Sequence, residues 1–334
     1  MEEQIRIALP SKGRMERETL EFLAACNLVA NKRNPRQYFA SIPALPGVQV
    51  LFQRAHDIPI RVQAGDVDLG ITGFDTVMEQ QDNLNSVIVI HDELGYGECS
   101  LALAVPEEWN DVRSMNDLTK KATTQNLRIA TSYTNITRRY LDEAGLQNVQ
   151  IINADGALES APAIGYAEFI ADLVSTGTTL RENRLRQIDG GTILDSQAIL
   201  IGNRSALAER PQLLAIVHQL LEFIDAYLRA KGQYHIFVNM RGESMEEIGN
   251  QIFSQTDLAG LQGPTISPMI TRNNGGNWWA VNLVTPAHKL YKTIQQIREI
   301  GGSGVVVTPV TYIFEEESLR YQKLLKTLQT GASK

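Results

Sequence analysis

Cysteine is nearly missing from this chain. There are two in 334 residues, Cys26 and Cys99, with no CxxC spacing, which suits a reduced intracellular protein with two buried thiols rather than a disulfide-stapled one. Long apolar runs are missing too. VIVI (87–90) and GVVV (304–307) are strand-sized, and MEEQIRIALP at the start holds no stretch of signal length, so the cytoplasm is the expected location and no membrane partner is expected. Positive charge is in deficit: the formal net charge is −7. The average field therefore repels a polyanion, and no nucleic-acid partner is expected, although small anions remain possible where cations gather locally. The five histidines (56, 91, 218, 235, 288) form no HxxxH or HExxH, so no protein metal cage is expected. GxxxxGK[ST] is absent, and the GxG of GYGECS (95–100) precedes an apolar strand where a dinucleotide fold needs a helix.

What is present is ordinary globular material, 43% hydrophobic and 21% charged, enough for a sizeable core and two or three domains. Short apolar runs alternate with helical patterns over the first two hundred residues: IRIAL, VQVLF, VDLGIT and VIVI, then LRIAT, VQII, EFIADLV and AILI. That order predicts an α/β fold with mixed or parallel sheets and crossover helices. A polar stretch at 106–126 interrupts it, and a long amphipathic helix is expected over about 209–231, closed by Gly232. Beyond it the order changes to β-α-β-β-α-β, that of a ferredoxin-like domain. Ser244 and Glu247 form a capping-box pattern there, and TRNNGG (271–276) a hairpin-like turn. The tail, 315–334, reads as an amphipathic helix with a disordered end.

One stretch stands out, IADLVSTGTTLREN (170–183). A strand ends on Asp172, and Ser175, Thr176, Gly177, Thr178 and Thr179 follow before a helix begins. A tight turn into a helix N-terminus gathers backbone N–H groups and partial positive charge, and Gly177 admits close approach. A phosphate fits that set, with Asp172 free to accept from sugar hydroxyls. A plain N-cap is the alternative, but it needs one hydroxyl and four are present. Glu159, in DGALES, is a further carboxylate just upstream. Other strand-end turns carry Lys12 and Arg14 (LPSKGRM), Arg54 (RAHDIP), and Gly73 and Asp75 (GITGFD). Ligands of open α/β sheets lie beyond the carboxyl ends of strands, so these turns are expected to face a common cleft unless the cations are only solvated surface charge.

Taken in order, LPSKGRM, RAHDIPIRVQAGDVDLGITGFD, LGYGECSLALAVP, ADGALESAP and ADLVSTGTTLRENRL resemble ATP phosphoribosyltransferase, the first enzyme of histidine biosynthesis, and GPTISPM, WWAVNLV and GGSGVVVTPV resemble the regulatory domain of its long form. The resemblance implies two α/β lobes like a type II periplasmic binding protein, with lobe I at 1–107 and 196–231, lobe II at 108–195, and a regulatory domain at 232–334. It implies transfer of a phosphoribosyl group from phosphoribosyl pyrophosphate to N1 of ATP, a Mg²⁺ requirement met through substrate phosphates, histidine feedback and dimer–hexamer assembly. Asp172, Glu159 and residues 175–179 would hold phosphoribosyl pyrophosphate, while Lys12, Arg14, Arg54, Gly73 and Asp75 would meet ATP or pyrophosphate. Leu261, Thr265 and Gly302 would meet histidine by position. The basic loop 32–38 has no assigned role. The rival reading on the same fold is a non-enzymatic binding protein, which would need no Mg²⁺ and release no pyrophosphate.

Overall fold

The computed structural model describes residues 4–32, 34, 37–255, 258, 263–270 and 277–331. Leu261, the turn 271–276, and Arg33 and Arg36 of the basic loop lie outside the described residues.

The chain opens with β1 (Ile5–Pro10), α1 (Gly13–Ala25), β2 (Phe39–Ser41), β3 (Val48–Gln53), α2 (Ile58–Ala64), β4 (Leu69–Gly73), α3 (Phe74–Gln80) and β5 (Val87–His91). Next come β6 (Cys99–Pro106), α4 (Met115–Thr124), β7 (Leu127–Thr131), α5 (Thr134–Glu143), β8 (Val149–Asn153), β9 (Phe169–Val174), α6 (Thr178–Glu182) and β10 (Leu185–Ser196). β11 (Ala198–Asn203), α7 (Arg204–Glu209) and α8 (Pro211–Ala230) follow. The first sheet has the order β2-β3-β1-β4-β11-β5, with β3, β1 and β4 parallel. Ile7, Ala8 and Leu9 in β1 are fully buried, because crossover helices cover both faces of such a sheet and apolar side chains fill both. The second sheet, β10-β6-β9-β7-β8, repeats the plan: β8 and β9 flank β7 in parallel as β3 and β4 flank β1. Strand order therefore reverses at the central strand of each lobe, the place where open α/β sheets bind ligands.

One expected boundary moves, and one strand was not expected. β6 pairs antiparallel with β9 and β10 in the second sheet, so the first lobe gives way at residues 92–98, where Gly95 and Gly97 are left-handed, and not at 107. β10 itself is absent from the expected elements: Gly190 and Gly191 break its alternation, and its register with β6 shifts there.

The remaining elements are β12 (Gln233–Arg241), α9 (Met245–Phe253), β13 (Thr265–Pro268), β14 (Trp278–Pro286), α10 (Leu290–Glu299), β15 (Ser303–Pro309) and α11 (Leu319–Gly331). The first six form the antiparallel sheet β13-β14-β12-β15, the ferredoxin-like order. Ile236, Val238, Met240, Val281 and Leu283 pack there against Ile248, Ile252 and Ile297 of α9 and α10. Only half of the expected capping box forms. The Glu247 amide donates to Ser244 Oγ at 3.2 Å, while the Glu247 carboxylate accepts from the Glu243 amide at 2.7 Å.

The chain separates into two compact units. One extends to Leu221 and includes α11, and the other is Glu222–Glu317. The tail helix thus belongs to the first unit. Leu324 and Leu328 are buried, the His218 and Tyr321 rings lie 4.4 Å apart, and Arg204 Nη1 donates to the Thr327 carbonyl at 3.3 Å. Among the described residues no helix is long and apolar enough to cross a membrane.

Candidate functional site

Beyond Val174 the backbone turns through residues 175–177, with Gly177 left-handed at φ 68°. Gly177 is the N-cap of α6 and no side chain caps the helix, so the hydroxyls are not used as the plain cap reading requires. Thr176 and Thr178 share a hydrogen bond of 3.0 Å, and Arg181 Nη2 donates to Thr178 Oγ1 at 3.2 Å. Arg181 was not expected here; only the fold of the short helix turns it back onto the loop. Residues 175–179 line a cavity of about 130 Å³ together with Asp172 and Glu159.

The two acids share that cavity from different elements. Asp172 projects from β9, while Glu159 sits in a one-turn helix entered through Ala157, a left-handed non-glycine residue at φ 46°. Left-handed backbone strains any residue with a Cβ, and here it turns the chain so that Glu159 reaches the loop. Burial pushes the Asp172 carboxyl up from 3.8 to about 6, the Leu173 amide opposes that, and Glu159 adds to it.

In the first lobe the expected turns do come together, since β3, β1 and β4 end side by side, with Gln53 opposite Pro10. Lys12 caps α1 in extended conformation, Arg54 follows β3, and both are exposed. Arg14 reaches the other lobe, where its Nη1 donates to Ser175 Oγ at 3.0 Å. A second cavity, of about 570 Å³, has Phe74, Asp92, Glu93, Glu98, Asp195 and Ser175 in its wall. Ser175 lines both cavities, so the loop joins them. Asp92, Glu93, Glu98 and Asp195 make this wall acidic, although none of the four was among the expected site residues.

Asp75 differs most from its expected role. It is 5% exposed. Its Oδ1 accepts from Ser196 Oγ at 2.5 Å and its Oδ2 from the Tyr133 hydroxyl at 2.7 Å. Its carboxylate is thus engaged between the lobes rather than offered to a ligand. Gly73 makes this possible, because a Cβ there would lie 2.3 Å from Asp75 Oδ1. Gly73→Ala should therefore break the Asp75–Ser196 bond and destabilise the first unit by about 1–3 kcal/mol; a thermal melt unchanged from the wild type would contradict it. One turn along α3, Glu79 is 6% exposed and accepts from the Asn135 amide at 2.9 Å and the Ile136 amide at 3.0 Å. A carboxylate from the first lobe thus caps α5 of the second. Nothing in the sequence marks Glu79, Tyr133 or Ser196 as partners, since the pairing is long-range.

Of the residues expected at a histidine site, the two described ones, Thr265 and Gly302, do not lie together. Thr265 opens β13 and Gly302 precedes β15, at opposite edges of the sheet. Gly302 is fixed by packing: a Cβ would lie 2.4 Å from Ile297 Cγ2.

The family model described as ATP phosphoribosyltransferase matches residues 54–226, and that of the HisG C-terminal domain matches 230–312. By class, then, this is a pentosyl-transferring enzyme on a two-lobed α/β fold with a C-terminal domain of its own. Curated relatives agree. Arabidopsis thaliana ATP phosphoribosyltransferase 2, chloroplastic, is 44% identical over 98% of this chain and 81% of its own length. The enzyme of Gemmatimonas aurantiaca is 36% identical over 92% of this chain and 98% of its own. A solved ATP phosphoribosyl transferase (HisG:HisZ) complex from Thermotoga maritima has the same fold, with a TM-score of 0.52 at 24% identity, covering 66% of this chain and 98% of that one. The chain belongs to the ATP phosphoribosyltransferase family, in its long form, and so to the first step of histidine biosynthesis.

Proposed function

We propose that the chain joins phosphoribosyl pyrophosphate to N1 of ATP, releasing pyrophosphate. The observation that carries this is the joined pair of cavities, in which an uncapped loop at 175–179, two carboxylates and Arg14 meet. The loop amides and hydroxyls hold the 5-phosphate. Asp172 and Glu159 accept from the ribose hydroxyls, which fixes C1 toward the larger cavity. The C1–oxygen bond to pyrophosphate breaks as the C1–N1 bond forms, with the leaving oxygen keeping the bonding pair. Adenine N1 is already nucleophilic, so orientation and charge stabilisation supply the rate, and no general base is assigned. Lys12, Arg14 and Arg54 meet the polyphosphate charge; Asp75 holds the lobes rather than the nucleotide.

Among the described residues no group of three or more His, Cys, Asp or Glu side chains is gathered for a metal. The exposed carboxylates Glu93 and Glu98 in the cavity wall suit a water-bridged Mg²⁺ bound mainly by substrate phosphates. When bound there, Mg²⁺ would lower the negative charge on the departing pyrophosphate.

Histidine is proposed as a feedback inhibitor acting at the ferredoxin-like unit, and the working form as a homo-oligomer between dimer and hexamer. In support of assembly, Val306 on the edge strand β15 is 54% exposed. The cytoplasm is kept as the proposed location on the two free thiols, to be checked by imaging a tagged full-length chain.

Incubation with ATP, phosphoribosyl pyrophosphate and Mg²⁺ should yield one pyrophosphate per donor consumed, and histidine should slow it; no pyrophosphate would refute the reading. Gly177→Val should weaken phosphoribosyl pyrophosphate binding at least tenfold, because a β-branched residue resists left-handed backbone at a cost of about 1–2 kcal/mol or more. Unchanged binding by calorimetry would remove the loop from the site.

A further inference from the structure

Four carboxylates, Asp92, Glu93, Glu98 and Asp195, line the larger cavity, where a polyanion is expected on the reading above. Two of them are engaged. Ser100 Oγ donates to Asp195 Oδ1 at 2.6 Å, and Arg320 Nη1 pairs with Asp92 Oδ1. Arg320 lies in the first turn of α11, the helix that returns from the ferredoxin-like unit to the first one. The matched family models end at residue 312, so α11 stands outside both.

We propose that Arg320 is a positioning residue for the cleft: by pairing with Asp92 it offsets one negative charge on the wall and so raises the affinity of the larger cavity for polyanions. The electrostatics favour this role over a purely structural one. The side chains of Asp92 and Arg320 are 62% and 32% exposed, and so open an ion pair adds only about 0–1 kcal/mol to stability. The docking of α11 rests instead on buried Leu324 and Leu328 and on the Tyr321 ring against His218. Burial raises the Asp92 carboxyl, while the Arg320 hydrogen bond and charge, a backbone hydrogen bond and His91 hold it below the usual carboxylate range; without Arg320, the carboxylate facing the cavity keeps less of that compensation.

The proposal rests on the reading that the cavity takes polyphosphates, and the test separates the two. Inorganic pyrophosphate binding to the full chain is measured by calorimetry, beside KM values for ATP and phosphoribosyl pyrophosphate. Arg320→Ala should weaken pyrophosphate binding about three- to fivefold at low salt and raise KM with little change in kcat. The loss should shrink near 1 M salt, where the Debye length is about 3 Å. Asp92→Asn placed on Arg320→Ala should restore affinity, and Arg320→Lys should keep it within about twofold. Wild-type affinity in Arg320→Ala overturns the proposal, as does a defect that Asp92→Asn leaves in place, which would mark a merely structural helix contact. Absence of turnover in the wild type counts against the functional reading alone, since pyrophosphate binding reads the charge effect without catalysis.

Discussion

Asp172→Asn should melt higher than the wild type and turn over at least a hundredfold more slowly. The two effects share one cause. Burial raises the Asp172 carboxyl from 3.8 to about 6, so the folded chain holds a proton that the unfolded chain has already lost. Between those two pH values stability falls as pH rises, and above about 6 the full cost remains. At neutral pH that cost is roughly 3 kcal/mol. Asparagine removes the charge and should recover about 1–3 kcal/mol of it. The same change replaces the carboxylate proposed to accept from the ribose hydroxyls with a neutral amide that keeps a single acceptor oxygen, and a charged interaction of that kind is worth about a hundred- to a thousandfold in rate. In the wild type, kcat/KM for phosphoribosyl pyrophosphate should fall about tenfold per pH unit below about 6, and that limb should be absent from the variant's residual activity. A melting temperature that falls on substitution, or a pH profile with no inflection near 6, would remove Asp172 from this role.

Glu79→Ala should be the most damaging change away from the ligand cavities. Its carboxylate is buried at 6% exposure and accepts two backbone amides at the start of α5. Alanine leaves the Asn135 and Ile136 amides without that acceptor, at about 2–4 kcal/mol, and the first unit should melt about 5–10 °C lower. The same turn carries Tyr133, whose hydroxyl donates to Asp75, so that second link between the lobes is expected to loosen with it. Turnover should fall at least tenfold, since small displacements of opposed groups are costly in rate, while phosphoribosyl pyrophosphate affinity, set within the second lobe, should change less. A variant with wild-type melting and wild-type kcat would show that this pairing neither supports the unit nor sets the lobes.

The sequence carried the local parts of this design and left out the long-range ones. Residues 170–183 were legible because a strand, a carboxylate, a left-handed glycine and a helix start are adjacent in the chain, and the structure does gather them with Glu159 around one cavity. The β-α-β-β-α-β order of the second unit was legible for the same reason, period two giving way to period 3.6. β10 was not, because Gly190 and Gly191 interrupt its alternation while its pairing with β6 tolerates them as an irregularity. Asp75 looked like a ligand residue because it stands in a strand-end turn, yet Ser196, 121 residues away, and Tyr133 engage its carboxylate. α11 was legible as an amphipathic helix, but which unit it covers depends on Leu324, Leu328 and Arg320 finding partners far back in the chain.

Backbone hydrogen exchange at residues 175–179, with and without phosphoribosyl pyrophosphate and Mg²⁺, tests the central claim most directly. The expected result is slowed exchange of these amides on addition of the donor, lost in Asp172→Asn at the same concentration. Turnover in the wild type with exchange at these amides unchanged by donor would contradict it.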